Sequence, residues 1–207
     1  MVNTVFPDSV EPEHYPNTTI FVNLLNISSS KELRGKEADF TAIRSIELLQ
    51  NAAVNLTPQT FDFKHLRAIH YHLFQDLYEW AGKPRSYDMK KDGDEFTPAK
   101  LLPKYEAQVF SRAIDFSNLT QRPNIDEVAT KLASCLGIIN TYHPFPEGNG
   151  RAQRIFISEI ANVHQYSINW NVVHPWEVVE TSKQVHVGNY EPLENLMKRV
   201  VVDKTQP

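Results

Sequence analysis

Residues 143 to 154 read His143-Pro144-Phe145-Pro146-Glu147-Gly148-Asn149-Gly150-Arg151-Ala152-Gln153-Arg154. His143 precedes a proline, which pushes it out of helical backbone and ends any helix arriving there. Gly148-Asn149-Gly150 can then turn successive backbone amides to one side, a concave nest that holds an anion. A helix starting at the nest adds the positive end of its dipole, so a phosphate is the natural guest. Arg151 and Arg154 stand three apart and leave the same face of that helix. Two guanidinium forks beside a nest suit a di- or triphosphate better than a single phosphate. Glu147 can hold a magnesium ion that bridges phosphate oxygens. His143, at the lip, can accept a proton from an incoming hydroxyl as a neutral imidazole. Together these parts describe attack on a bound nucleotide polyphosphate.

The surroundings of this loop are helical. Before it, Val128, Leu132, Leu136 and Ile139 recur at helical spacing behind the opening Pro123-Asn124-Ile125-Asp126-Glu127. After it, Ala152, Ile155, Phe156, Ile160 and Val163 do the same. Further upstream, Ser29 to Glu32 has the form of a capping box, followed by Leu33, Phe40, Ile43, Ile46 and Leu49 near one helical face. Leu66, Ile69, Leu73, Leu77 and Trp80 predict a second amphipathic helix, ended by Gly82 and Pro84. Another helix is expected from Pro98 to Asn118, and two more over 175–185 and 190–202. Between Lys83 and Thr97 the helical period vanishes. There the polar turn Lys90-Lys91-Asp92-Gly93-Asp94 predicts a short hairpin. Residues 1–16, with Pro7, Pro12 and Pro16, read as an extended arm, and 17–207 as one domain. The fold class is all-α, a compact helical bundle with one small β-hairpin.

Composition narrows the function classes. Charged residues make up 22% of the 207 and hydrophobic ones 41%, ordinary values for a folded domain. Cys135 is the only cysteine, which excludes an internal disulfide and a zinc site of paired thiolates. A net charge of -4 argues against a protein that coats nucleic acid. No apolar run reaches the ~18 residues of a membrane span, and the first residues lack a signal-peptide pattern. The expectation is a soluble cytoplasmic protein. His70 and His72, two apart on a helix, point in different directions and suit core-edge packing better than a shared metal. The aromatics Tyr78, Trp80, Trp170 and Trp176 are expected to pack.

Residues 143–154 match, at every defined position, the signature of the Fic family: His, any, Phe, any, Asp or Glu, Gly, Asn, Gly, Arg, any, any, Arg. Ile69-His70, Leu73-Phe74, Tyr78 to Lys83, Arg85, Gly188, Pro192 and Leu193 also resemble the family pattern. The Doc kinase branch is similar but carries lysine where this chain has Gly150. The resemblance implies transfer of AMP from ATP to a side-chain hydroxyl (Thr, Ser or Tyr) of a target protein, with release of pyrophosphate. In that scheme His143 is the general base and Glu147 positions magnesium. Gly148, Asn149, Gly150, Arg151 and Arg154 then orient the phosphates, while Phe145 anchors the loop. The hairpin resembles the family's flap, which pairs with an extended target segment, and Lys90 and Lys91 are its candidate contact residues. Gly188-Asn189-Tyr190 either lines a base pocket, by the same resemblance, or is a plain helix–loop–helix junction. Transfer of another nucleotide or of a phosphate by the same fold, or a silent nucleotide-binding module, are the competing readings. Fic enzymes are commonly restrained by a helix with Ser or Thr, three residues, Glu, then Gly or Asn, whose glutamate pairs with the second arginine, Arg154 here. No glutamate of this sequence outside the loop fits that pattern. The resemblance therefore implies a toxin restrained by a small separate antitoxin.

Overall fold

The computed structural model describes residues 6–50, 59–91 and 94–205. Asp92 and Gly93 of the hairpin turn lie outside the described residues, as do the side chains of Leu49 and Lys91. Seven α-helices are present among the described residues: α1 (Ser30–Gln50), α2 (Phe63–Phe74), α3 (Leu102–Ser117), α4 (Ile125–Tyr142), α5 (Asn149–Val163), α6 (Pro175–Val185) and α7 (Glu191–Val200). The strands are β1 (Lys90–Lys91) with β2 (Asp94–Glu95), and β3 (Tyr166–Ile168) with β4 (Val201–Asp203), each pair antiparallel. None of the described helices is long and apolar enough to cross a membrane.

The centre of the bundle is α4. Val128, Ala129, Leu132, Ala133, Leu136 and Ile139 are all buried, so its apolar stripe is wide enough to serve several neighbours. α3, α5, α6 and α7 pack around it. Asn124 starts the helix by accepting the Glu127 amide at 3.0 Å, and Asp126 and Glu127 complement the dipole of its first turn. His143 ends it. The helix that carries the signature, α5, packs against both α4 and α2. The loop from 143 to 148 is thereby clamped between two buried helix ends.

Several sequence expectations change in the structure. The helix through Leu66 stops at Phe74, and the chain continues as turns to Gly82. The Leu77 carbonyl accepts the amide of Leu24 instead, which draws this segment out of helical pairing. Leu77 and Trp80 are nonetheless buried. On α1, Ile43 and Ile46 are exposed. The inward face carries Leu33, Glu37, Thr41, Arg44 and Leu48, because polar partners await it: Arg44 grips Asp76 at 2.8 and 2.9 Å, and Glu47 meets His72 at 2.9 Å. Trp176 is 63% exposed rather than packed. The last helix ends at Val200, and Val201–Asp203 pairs with Tyr166–Ile168, a second small sheet beyond the one hairpin expected. Of the proposed arm, Phe6 and Val10 pack on the core, and Val10 forms a bridge with Arg85.

Candidate active site

His143 takes its place from the end of α4. Its amide still accepts the helix geometry, donating to the Ile139 carbonyl at 3.0 Å, while its own backbone is left-handed at φ 43° and ψ 63°. The ring stacks on Phe96 at 3.8 Å and 14°. Its Nδ1 faces the Asn140 carbonyl at 3.2 Å, an acceptor only, so Nδ1 carries the proton and Nε2 is the basic nitrogen. Its carbonyl accepts Nε–H of Arg85 at 2.9 Å. Arg85 is wholly buried and also donates to the carbonyls of Tyr87 at 2.7 Å and Thr97 at 2.5 Å. Burial lowers its pKa from the ordinary guanidinium value. One side chain thus ties the end of α4 to both feet of the β1–β2 hairpin.

The loop after His143 is held from inside. Phe145 is fully buried, its ring stacked on His70 at 3.9 Å. Asn149 accepts the Phe145 amide at 2.9 Å and donates to the Phe145 carbonyl at 2.7 Å. Its side chain therefore closes the loop, and only its backbone is left to the nest. His70 accepts the Gly82 amide on Nδ1 at 2.9 Å, which leaves Nε2–H to donate to the Glu147 carbonyl, also at 2.9 Å. Burial pushes its pKa down to about 3, so the ring is neutral. Gly148 caps α5 at φ 80°, and a Cβ there would sit 2.3 Å from the Phe74 ring. As the first residues of α5, Asn149 and Gly150 have no helical partner for their amides.

A cavity of about 270 Å³ opens over this helix end. His143, Glu147, Gly148, Asn149, Gly150, Arg151 and Arg154 all line it. The Glu147 carboxylate is half exposed; its Oε1 accepts the Gly148 amide at 2.9 Å and lies 3.6 Å from Arg151. Arg151 also pairs with Glu37 of α1 at 3.0 Å and lies over the Phe74 ring at 4.6 Å. Arg154 has no carboxylate partner among the described residues. Burial and the neighbouring Arg151 lower its pKa, the environment of a cation that waits for an anion. No cluster of three or more His, Cys, Asp or Glu that could hold a metal exists among the described residues. Glu147 is the carboxylate of this lining that would hold a nucleotide-borne magnesium ion, whose other ligands would be phosphate and water.

The remaining walls hold residues that the sequence reading passed over. Val179 and Lys183 of α6 and His186 at its C-terminal cap face the cavity, as do Asn140 and Pro146. His186 Nε2 is buried and unpartnered among the described residues. Gly188-Asn189-Tyr190 lies past this wall, as the junction between α6 and α7. From the hairpin, Met89 and Phe96 line the cavity. Lys90 is instead on the surface, paired with Glu95 across the hairpin, where both are well exposed.

Residues 60–161 match the Fic/DOC family. This domain belongs to the Fic/DOC family. The Fic domain is 32% identical to the protein adenylyltransferase VbhT of Bartonella schoenbuchensis, over 97% of this chain and 41% of that protein. It is 28% identical to y4lH of Sinorhizobium fredii, over 92% of this chain and 96% of that protein. The chain thus spans less than half of VbhT and nearly all of y4lH. In fold it resembles the N-terminal Fic domain of a VirB-translocated Bep effector protein from Bartonella quintana with bound ADP. That match has a TM-score of 0.84 at 24% identity, over 92% of this chain and 94% of the other.

Proposed function

We propose that this Fic domain transfers AMP from ATP to a side-chain hydroxyl of a target protein. The observation that carries the reading is the convergence of the His143 ring, the Glu147 carboxylate and both arginines on one cavity at the start of α5. The hydroxyl oxygen attacks the α-phosphorus as its proton passes to His143 Nε2. The new O–P bond forms as the bond to the bridging oxygen breaks, and pyrophosphate leaves. Arg151, Arg154 and the first amides of α5 hold the phosphates and receive the charge that develops on them. Magnesium, held at Glu147, would neutralise phosphate oxygens. Val179, Lys183 and His186 bound the cavity away from the signature, where the nucleoside would lie. Naming of the relative VbhT as a protein adenylyltransferase supports the reading.

The hairpin supplies the target-facing edge, and a Thr, Ser or Tyr hydroxyl suits a site with one histidine base. We further infer a cytoplasmic toxin held by a small antitoxin. Arg154 lacks a carboxylate partner among the described residues, as required if a glutamate is to arrive in trans. A groove of about 490 Å³ lined by Phe21, Ser30, Leu33 and Arg34 runs up to Glu147 and Arg151, and supports a helix lying there.

The test uses the purified chain, lysate protein as acceptor, and ATP labelled on either the α- or the γ-phosphate. The α-label should transfer and the γ-label should not. His143→Ala should lower transfer by ~10²–10⁴-fold while ATP still binds. Transfer of the γ-label, or full transfer by His143→Ala, would overturn the proposal.

A further inference from the structure

Glu37 stands 114 residues before Arg151 and outside every motif of the loop. Its carboxylate is 13% exposed and shared between two donors. Oε2 accepts Nη2 of Arg151 at 3.0 Å, and Oε1 accepts the Tyr78 hydroxyl. Burial, and then the hydrogen bond to Glu37, raise the Tyr78 pKa, so this hydroxyl remains a donor. The helix that delivers Glu37 is pinned about two and three turns further on, by Arg44 on Asp76 and Glu47 on His72. The Phe74 ring closes the far side of the Arg151 guanidinium. A planar fork with Nη2 held between Glu37 at 3.0 Å and Glu147 at 3.6 Å, and one face on a ring, has little orientational freedom left at the wall of the cavity. The same carboxylate places a negative charge beside the phosphate end, and with Glu147 it balances the two arginines.

We propose that Glu37, backed by Tyr78, is a positioning residue for transfer. It fixes the Arg151 guanidinium in the orientation the reacting phosphates need, and it weakens ground-state binding of the nucleotide by removing positive charge. This rests on the adenylyl-transfer reading. The two effects oppose each other in binding and rate, which separates them from a merely structural contact.

ATP affinity is measured by calorimetry and the single-turnover transfer rate with α-labelled ATP, for Glu37→Gln and Tyr78→Phe. Glu37→Gln should bind ATP about two- to five-fold more tightly, as one screened like charge is lost, and transfer AMP about ten-fold more slowly, as Arg151 loses its orientation. Tyr78→Phe, which removes one oxygen without changing shape, should slow transfer in the same direction by a smaller factor and serves if the first variant fails to fold. Unchanged or faster transfer, or weaker ATP binding by a folded Glu37→Gln, would overturn the proposal. If the parent chain transfers no AMP, the adenylyl-transfer reading fails on its own. The affinity change and the ¹⁵N signal of Arg151 Nε, which should shift or broaden in Glu37→Gln, still decide the role of Glu37.

Discussion

The buried guanidinium of Arg85 and the carbonyl of His143 are joined at 2.9 Å. That bond makes one side chain responsible for both the end of the base-bearing helix and the feet of the hairpin. Arg85→Met would leave the carbonyls of His143, Tyr87 and Thr97 without their donor. An unsatisfied buried acceptor costs ~1–3 kcal/mol, and a loss of at least ~2 kcal/mol is expected in urea unfolding. Transfer should fall more than ATP affinity, since the nest itself does not depend on Arg85. Arg85→Lys, able to reach fewer of the three carbonyls, should be intermediate.

His143 adopts left-handed backbone, at φ 43°, which strains any residue with a Cβ. The strain persists because the helix must end there while the ring stays on Phe96 at the cavity. Two inactive variants should therefore differ in stability. His143→Gly is expected to melt above His143→Ala, by about 1 kcal/mol, despite the greater freedom of glycine in the unfolded chain. Thermal unfolding of the pair checks it, and an alanine variant that is equal or better removes the strain argument.

Gly148 and Gly150 should respond oppositely to alanine. At Gly148 the new methyl meets the Phe74 ring in a left-handed turn, and overpacking with backbone strain should cost about 2–4 kcal/mol. At Gly150 the nearest atom is Arg154 Nη1 at 3.7 Å, ordinary contact. That variant should fold as well as the parent and lose nucleotide affinity only. Circular dichroism melts combined with ATP titration distinguish the two.

His70 sets an acid limit on stability. In the unfolded chain its pKa is near the ordinary 6.5, and in the folded protein it falls to about 3. Between those values unfolding takes up a proton, so stability declines as pH falls below about 6.5, by up to ~1.4 kcal/mol per pH unit. His70→Gln should be less stable at neutral pH and show a shallower decline between pH 6.5 and 4. Parallel slopes in the two proteins would remove His70 from the acid response.

Much of this was legible in the sequence because the chemistry is local. The pattern from His143 to Arg154 encodes a helix stop, a loop and a helix start within one stretch, and the structure keeps that order. Burial of the apolar stripe of α4 follows from its spacing. What the spacing could not give is the reason that polar residues turn inward. Glu37 and Arg44 occupy the inner face of α1 because Tyr78, Arg151 and Asp76, far along the chain, meet them there. Apolar spacing places Ile43 and Ile46 on that face, whereas both are exposed. Asn149 reads as part of an anion nest through its backbone; that its side-chain amide also braces Phe145 is a contact no spacing carries. Lys183 and His186 carry no motif; only the packing of α6 against α4 brings them to the cavity. The strand pair of Tyr166–Ile168 with Val201–Asp203 is too short to leave a period in either segment.

The double hydrogen bond between Asn149 and the backbone of Phe145 has a kinetic consequence. A loop cross-braced by its own amide has little conformational freedom left to surrender when a nucleotide arrives. Capture should then approach the rate of a rigid docking event, with a single fast phase in stopped flow and no slow isomerisation behind it. Differences in affinity among nucleotides would be carried by how quickly each one leaves.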